Sequence, residues 1–227
     1  MNKSDFSIVM LGATGAVGGS ALDALLKKEG ISKISLLGRR QVDGIDQSNV
    51  HQNSIDIFDP TTYDGLLENH NVAICTLGVG EPSKISKEDF IKIDKTAVLD
   101  FATACKKAGI KHFELLSSVS INAKSSQYYL RIKGELVEEL KALNFDRLSV
   151  FQPSMILTPT NRYGFSQAIV LFIWPILSTL LFGRLKQYRG IKVEKLGRAI
   201  AENIFTDGSG LEYLKWSDFQ ALTSDRD

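Results

Sequence analysis

Cysteine is scarce in this chain: 227 residues contain two, Cys75 and Cys105, each in an apolar stretch and without C-x-x-C spacing. That excludes a disulfide scaffold and a thiolate metal site, and it predicts two reduced core residues of the kind found in a cytoplasmic protein. Histidine is scarcer than function would require of a metal centre. His51, His70 and His112 stand singly, off any ligand spacing, so they are read as structural or surface residues and no metal is expected. Charge of one sign is also missing. Twenty-seven Lys and Arg against 26 Asp and Glu leave a net charge of +1, too little field to hold a phosphodiester backbone, so nucleic acid is not an expected partner.

Long hydrophobic runs are absent too. Residues 168–182 come nearest, but Pro175, Ser178 and Thr179 interrupt them, and a spanning helix needs about 20 apolar residues. This stretch is expected to pack as core or lid, with contact to a membrane surface or a dimer face left open to it. No export signal precedes the first strand pattern. The expected location is cytoplasmic, with a membrane-peripheral contact as the variant. What is present is an ordinary globular composition, 44% hydrophobic and 23% charged, long enough for a full core without a metal or staple.

Short β-branched runs alternate with amphipathic stretches, the pattern of parallel strands joined by helices on both faces of a sheet. Strands are predicted at 7–11, 33–37, 50–55, 72–76, 112–117 and 147–151. Helices are predicted at 16–29, ending at Gly30, from 87 with Ser86 as its cap to Gly109, and at 126–143. After Phe151 the alternation fails at Pro153, Pro159 and Gly164, and the remainder reads as helices with loops. The division expected is a nucleotide-binding part at 1–156 and a small C-terminal substrate or lid region at 157–227, within one structural unit.

Directly after the first strand stand Gly12, Thr14, Gly15, Ala16, Val17 and Gly18, in the spacing G-x-x-G-x-x-G, with a helical pattern following. Glycines so placed turn the chain tightly and let the backbone approach a pyrophosphate, whose charge the helix N-terminus stabilises. This predicts an α/β, Rossmann-like, doubly wound parallel sheet with a small C-terminal helical lobe, carrying a nicotinamide dinucleotide. At the end of the second strand an NAD-specific site would place a carboxylate on the ribose; Arg39 and Arg40 stand there instead. Two guanidinium groups suit a 2′-phosphate, so NADP(H) is expected over NAD(H). Asp56 and Ile57 would edge the adenine, and Leu77 and Gly78 would line the cofactor's middle.

Tyr129 and Lys133 lie four residues apart, hence on one face of the predicted helix. A phenol titrates near pH ~10 on its own, and a cation beside it favours the phenolate, so such a pair can exchange a proton with a carbonyl or hydroxyl. Ser117 and Ser118 close the fifth strand at the sheet edge where ligands of open α/β folds bind, and a serine there can hold the substrate oxygen. Gly134 is expected to let the helix pass close to the cofactor. A second match, Tyr188 to Lys192, contains Gly190 and is rejected as a site.

Taken together, these residues make the chain similar to the short-chain dehydrogenase/reductase superfamily, specifically its atypical members of the Tat-interacting-protein type. The resemblance rests on Leu11 to Gly15, Leu37 to Arg40, Cys75 to Gly78, Lys111 to Phe113, Leu115 to Ser118, Tyr129 to Gly134 and Phe145 to Phe151. It implies that Tyr129 is the acid/base, that Lys133 holds the nicotinamide ribose and acts on the tyrosine, and that Ser118 orients the substrate oxygen. Pro153 would sit at the nicotinamide-side turn, within Gln-Pro-Ser rather than the family's Arg-Pro-Gly. The family's site asparagine would fall near Asp94. The implied function is hydride transfer between a nicotinamide and a small carbonyl or hydroxyl substrate; the alternative is a nucleotide-binding sensor or interaction module with little turnover.

Overall fold

A computed structural model describes residues 5–158 and 181–224. Six strands, β1 (Phe6–Leu11), β2 (Ile31–Gly38), β3 (Val50–Ser54), β4 (Val72–Cys75), β5 (His112–Leu116) and β6 (Arg147–Phe151), fall where the β-branched runs predict them. The short pair β7 (Ile156–Leu157) and β8 (Ile191–Lys192) forms a separate two-stranded sheet, and β9 (Gly210–Leu214) joins the main one. The main sheet runs β3-β2-β1-β4-β5-β6-β9, every neighbouring pair parallel. The order reverses between β1 and β4, which opens a crevice beyond their C-terminal ends.

Helix α1 (Ala16–Leu25) follows β1, and α2 (Lys87–Ile91) and α3 (Ala97–Lys107) follow β4. Ser86 caps α2 by accepting the Asp89 amide at 3.0 Å, and Gly109, at φ +85°, turns the chain out of α3 into β5. Helix α4 (Tyr128–Ala142) links β5 to β6, and α5 (Val193–Asn203) and α6 (Trp216–Leu222) belong to the C-terminal part. One face of the sheet packs on Phe101, Leu136 and Leu140 of α3 and α4; the other packs on Leu22, Leu196 and Ile200 of α1 and α5. Cys75 and Cys105 are both buried, and burial pushes the Cys75 thiol up to about 12, which makes it inert.

The expectation of helices and loops after Phe151 is corrected by β9. Its sequence, Gly-Leu-Glu-Tyr-Leu, has no β-branched residue, and what fixes it is a polar row across the middles of β5, β6 and β9. Glu114, Ser149 and Glu212 lie side by side in register there, with Asn203 reaching in from α5. His112 bonds the Ser149 hydroxyl at 2.9 Å, and the Asn203 amide donates to Glu114 at 2.7 Å.

That row has a predictable pH signature. Burial pushes the Glu114 carboxyl from its ordinary 4.5 up to about 8, against the Asn203 hydrogen bond and the Arg147 charge that favour the anion. Burial and then Arg147 push His112 from 6.5 down to about 3. The folded chain thus keeps the Glu114 proton where the unfolded chain has lost it, so stability falls as pH rises from 4.5 to about 8. For His112 the unfolded chain takes up a proton that the folded chain refuses, so stability falls as pH drops from 6.5 to about 3. Between 4.5 and 6.5 the two slopes oppose each other; above 6.5 Glu114 acts alone. Urea titrations should show Glu114→Gln gaining about 2 kcal/mol on the wild type between pH 6.5 and 8. A difference that does not vary with pH would mean that Glu114 is not the group titrating.

Candidate cofactor and active site

The glycine loop is shaped by contacts that leave no room for side chains. Gly12 has φ +98°, and a Cβ on it would stand 2.7 Å from the Thr76 hydroxyl oxygen. A Cβ on Gly18 would stand 2.2 Å from the Gly12 carbonyl oxygen. Thr76, at the end of β4, donates to that carbonyl at 3.1 Å and so braces the loop against the neighbouring strand. Gly15 donates to the same carbonyl at 3.0 Å and precedes α1 in extended conformation, with no side chain capping the helix. No acidic residue stands in the first turn of α1, so its outward-facing amides have no anion of the chain's own. A pyrophosphate fits this cradle on both counts, charge and space.

The crevice beside the cradle is lined by Gly12, Thr14, Arg39, Arg40, Ile57 and Leu77, together with Gln52 and Asn53 of β3. The last two have no counterpart in the sequence reading, because β3 is a polar edge strand with no hydrophobic alternation to mark its inward side. Gln52 clamps the turn after Arg40 by accepting the Val42 amide at 2.7 Å and donating to its carbonyl at 2.9 Å. Asp56 stands outside this lining: it is exposed, and its carboxylate accepts the Phe58 amide at 2.9 Å in a local turn. Val17 and Gly18 are buried and Ala16 half-buried in the first turn of α1.

Past Leu77 of this lining, next to Gly78, α4 brings Lys133, with Tyr129 one turn before it on the same helix. Tyr129 is half-buried, its ring 5.6 Å from that of Phe90. Lys133 is buried and its ammonium meets the Asp94 carboxylate at 2.8 Å. Burial works to lower the Lys133 pKa, but Asp94 and then Tyr129 more than reverse this, and the ammonium titrates above its ordinary range. Gly78 lies against the same pair: a Cβ there would be 3.0 Å from Asp94 Oδ1 and 3.6 Å from Lys133 Nζ. Lys133 and Gly78, read separately in the sequence, are therefore brought together.

Ser118 is half-buried on the C-terminal edge between β5 and β6, where the Ser117 amide donates to Phe151 at 2.8 Å and the Val119 amide to Pro153 at 3.0 Å. The loop beyond it returns to α4 through an Asn122 to Leu130 hydrogen bond of 3.1 Å. Gly134 serves that return rather than a cofactor. A Cβ on Gly134 would stand 2.3 Å from the Ala123 amide nitrogen, so its role is to let this loop lie on the helix. The rejected pair does not share a helix: Tyr188 closes the 3₁₀ turn Gly183–Tyr188 and Lys192 lies in β8. The Tyr188 hydroxyl nevertheless reaches Ser120 at 3.1 Å, beside the site.

A family model described as NAD(P)H-binding matches residues 12–156. The chain belongs to this NAD(P)H-binding family. Its relatives include Protein HTATIP2 of Rattus norvegicus, 32% identical over 228 residues covering 97% of this chain and 90% of that protein. Another is the mitochondrial Protein FMP52 of Meyerozyma guilliermondii, 29% identical over 177 residues covering 77% and 75%. Among solved structures, MoeE5 in complex with UDP-glucuronic acid and NAD superposes with a TM-score of 0.70 at 15% identity, covering 96% of this chain and 82% of that one. The chain is thus a short-chain dehydrogenase/reductase-like NAD(P)-binding protein, with the fold of the oxidoreductases of that superfamily.

Two expectations are overturned. The preference for NADP(H) does not stand: the structural neighbour holds NAD, and Arg39 and Arg40 are exposed on a solvent-facing turn rather than built into a closed phosphate pocket. The cytoplasmic location does not stand either, since FMP52 relatives from several fungi are named as mitochondrial. Two buried thiols report packing, and inert thiols do not mark a compartment. Residues 168–180 of the apolar segment lie outside the described residues. Among those described, no helix is long and apolar enough to cross a membrane.

Proposed function

We propose that this protein is an NAD(H)-dependent oxidoreductase acting on a small substrate that carries a carbonyl or a hydroxyl. The observation that supports it most directly is the buried Lys133 ammonium on the helix that carries Tyr129, lying against Gly78 next to a crevice that also holds the uncapped glycine cradle. When bound, the nicotinamide supplies or accepts the hydride. The chain's own residues do the rest. Tyr129 gives a proton to the substrate oxygen in reduction and takes it back in oxidation. Lys133 stabilises negative charge on the phenol oxygen, and Ser118 donates a hydrogen bond that holds the substrate oxygen in reach of it. Gly12, Thr14, Gly15 and the first turn of α1, with Ala16, Val17 and Gly18 packed behind, carry the pyrophosphate. Arg39, Arg40 and Ile57 would flank the adenosine end, with Asp56 outside that lining, Leu77 and Gly78 the middle, and Pro153 the nicotinamide turn.

The test is isotopic. NADH deuterated at C4 is incubated with the protein and a panel of aldehydes and ketones, and the alcohols are analysed by mass spectrometry. Deuterium on the former carbonyl carbon is the expected result. Tight NADH binding without transfer to any member of the panel would replace this reading with that of a nucleotide-binding module.

A further inference from the structure

One wall of the crevice hangs on a single side chain. Beyond Gly38, where β2 ends, the chain runs through Arg39, Arg40, Gln41 and Val42, all of which line the crevice, before it returns to the sheet as β3 at Val50. Arg39, Arg40 and Gln41 are exposed, and the paired registers of β2 and β3 stop at Gly38 and Ser54, so the sheet ladder does not hold this stretch. Val42 and Ile45 pack only at the margin of the core. Among the described residues, two hydrogen bonds tie the segment 39–46 to the rest of the chain, and both run between Val42 and the side-chain amide of Gln52 on β3. The Val42 amide donates to Gln52 Oε1 at 2.7 Å, and Gln52 Nε2 donates to the Val42 carbonyl at 2.9 Å. Donor meets acceptor at both ends, which fixes the orientation of the amide and makes it stand in for one rung of a sheet.

We propose that Gln52 is a positioning residue of the nucleotide site, presetting the wall at 39–42 against which the adenosine half of the dinucleotide is held. This rests on the reading of the crevice as the dinucleotide site given above. A backbone segment with few ties loses conformational freedom when a ligand settles on it, and a wall held in advance spares the ligand that cost. Loss of the clamp therefore weakens the adenosine half of the ligand. The nicotinamide half would rest on other elements, at Gly78 and α4, and is indifferent to it.

Gln52→Met keeps the length of the side chain and removes both bonds. In the apoprotein, hydrogen exchange at the Val42 amide should quicken at least about tenfold. NADH and ADP-ribose should each bind at least about tenfold more weakly, whereas reduced nicotinamide mononucleotide, which lacks the adenosine half, should bind within about twofold of its affinity for the wild type. Unchanged NADH affinity overturns the proposal. An equal loss for the mononucleotide also overturns it, as the sign of a general loss of structure. So does weaker NADH binding with Val42 exchange unchanged, which would make Gln52 a direct contact and not a clamp. If Gln52→Met does not fold, Gln52→Asn carries the test: it keeps a neutral amide that is one methylene too short to reach Val42, and the same loss confined to NADH and ADP-ribose is expected. A wild type that binds NADH but transfers no hydride sinks the oxidoreductase reading and leaves these binding comparisons in force; a wild type that binds no NADH overturns both.

Discussion

Tyr129→Phe should lower kcat by about 10²–10⁴-fold while leaving NADH affinity within about threefold. The ring of Tyr129 packs against that of Phe90, and phenylalanine keeps this contact, so the substitution removes a hydroxyl and little else. On the rate scale the loss corresponds to about 3–5 kcal/mol of barrier, the usual worth of a positioned proton donor. The adjacent tyrosine supplies the control. Tyr128 shares the first turn of α4, but its hydroxyl donates to the Lys87 carbonyl at 2.8 Å, a structural contact outside the crevice. Tyr128→Phe should therefore keep kcat within about twofold and cost at most about 1 kcal/mol of stability. Equal turnover in wild type and Tyr129→Phe removes Tyr129 from the chemistry, and a large loss in Tyr128→Phe would show that the helix end had been misassigned. Measuring kcat, KM and NADH binding for the three proteins separates these outcomes.

The parts of the fold that read clearly in the sequence are those where one kind of physics acts. Buried parallel strands such as β1 and β4 are apolar on both sides and short, and no other element looks like that. The glycine loop is legible because Gly12 and Gly18 answer to steric contacts with Thr76 and with each other, which side chains cannot meet. Where two influences compete, the pattern misleads. Asp94 sits in a helical run, and its sequence neighbours do not announce the π turn at Lys92–Thr96 or the buried pair it makes there with Lys133, a partner 39 positions away. Arg39 and Arg40 carry charge suited to a phosphate, but charge on an exposed turn says less than burial would. Strand β9 breaks the rule of apolar strands because its Glu212 is satisfied by a residue on another element.

That residue is Arg147, and its replacement by alanine should destabilise the protein by about 3–5 kcal/mol. Every nitrogen of the guanidinium is used. Nε and one terminal nitrogen meet Glu212 of β9 at 3.0–3.2 Å, and the other terminal nitrogen donates to the Asn203 and Thr206 carbonyls at 3.0 and 2.7 Å. The latter are main-chain acceptors where α5 ends, so the cation also answers the negative pole of that helix. A Cβ on Gly208 would be 2.4 Å from Arg147 Nε, so the turn into β9 closes directly over the guanidinium. Removing it leaves the Glu212 carboxylate without its counter-charge, with only the Ser149 hydroxyl at 3.2 Å, and takes from the Thr206 carbonyl its guanidinium donor, so the side-chain tie between β6, β9 and the end of α5 is lost. Arg147→Lys should recover only part of the loss, because a single ammonium cannot span acceptors on a strand and a helix end. The cluster lies at the N-terminal ends of the strands, the edge opposite the crevice. NADH affinity measured well below the melting temperature should therefore change by less than about threefold, even as the urea midpoint collapses. A parallel loss of affinity would mean that the C-terminal part of the sheet shapes the nucleotide site, and that stability and binding are not separable along this strand.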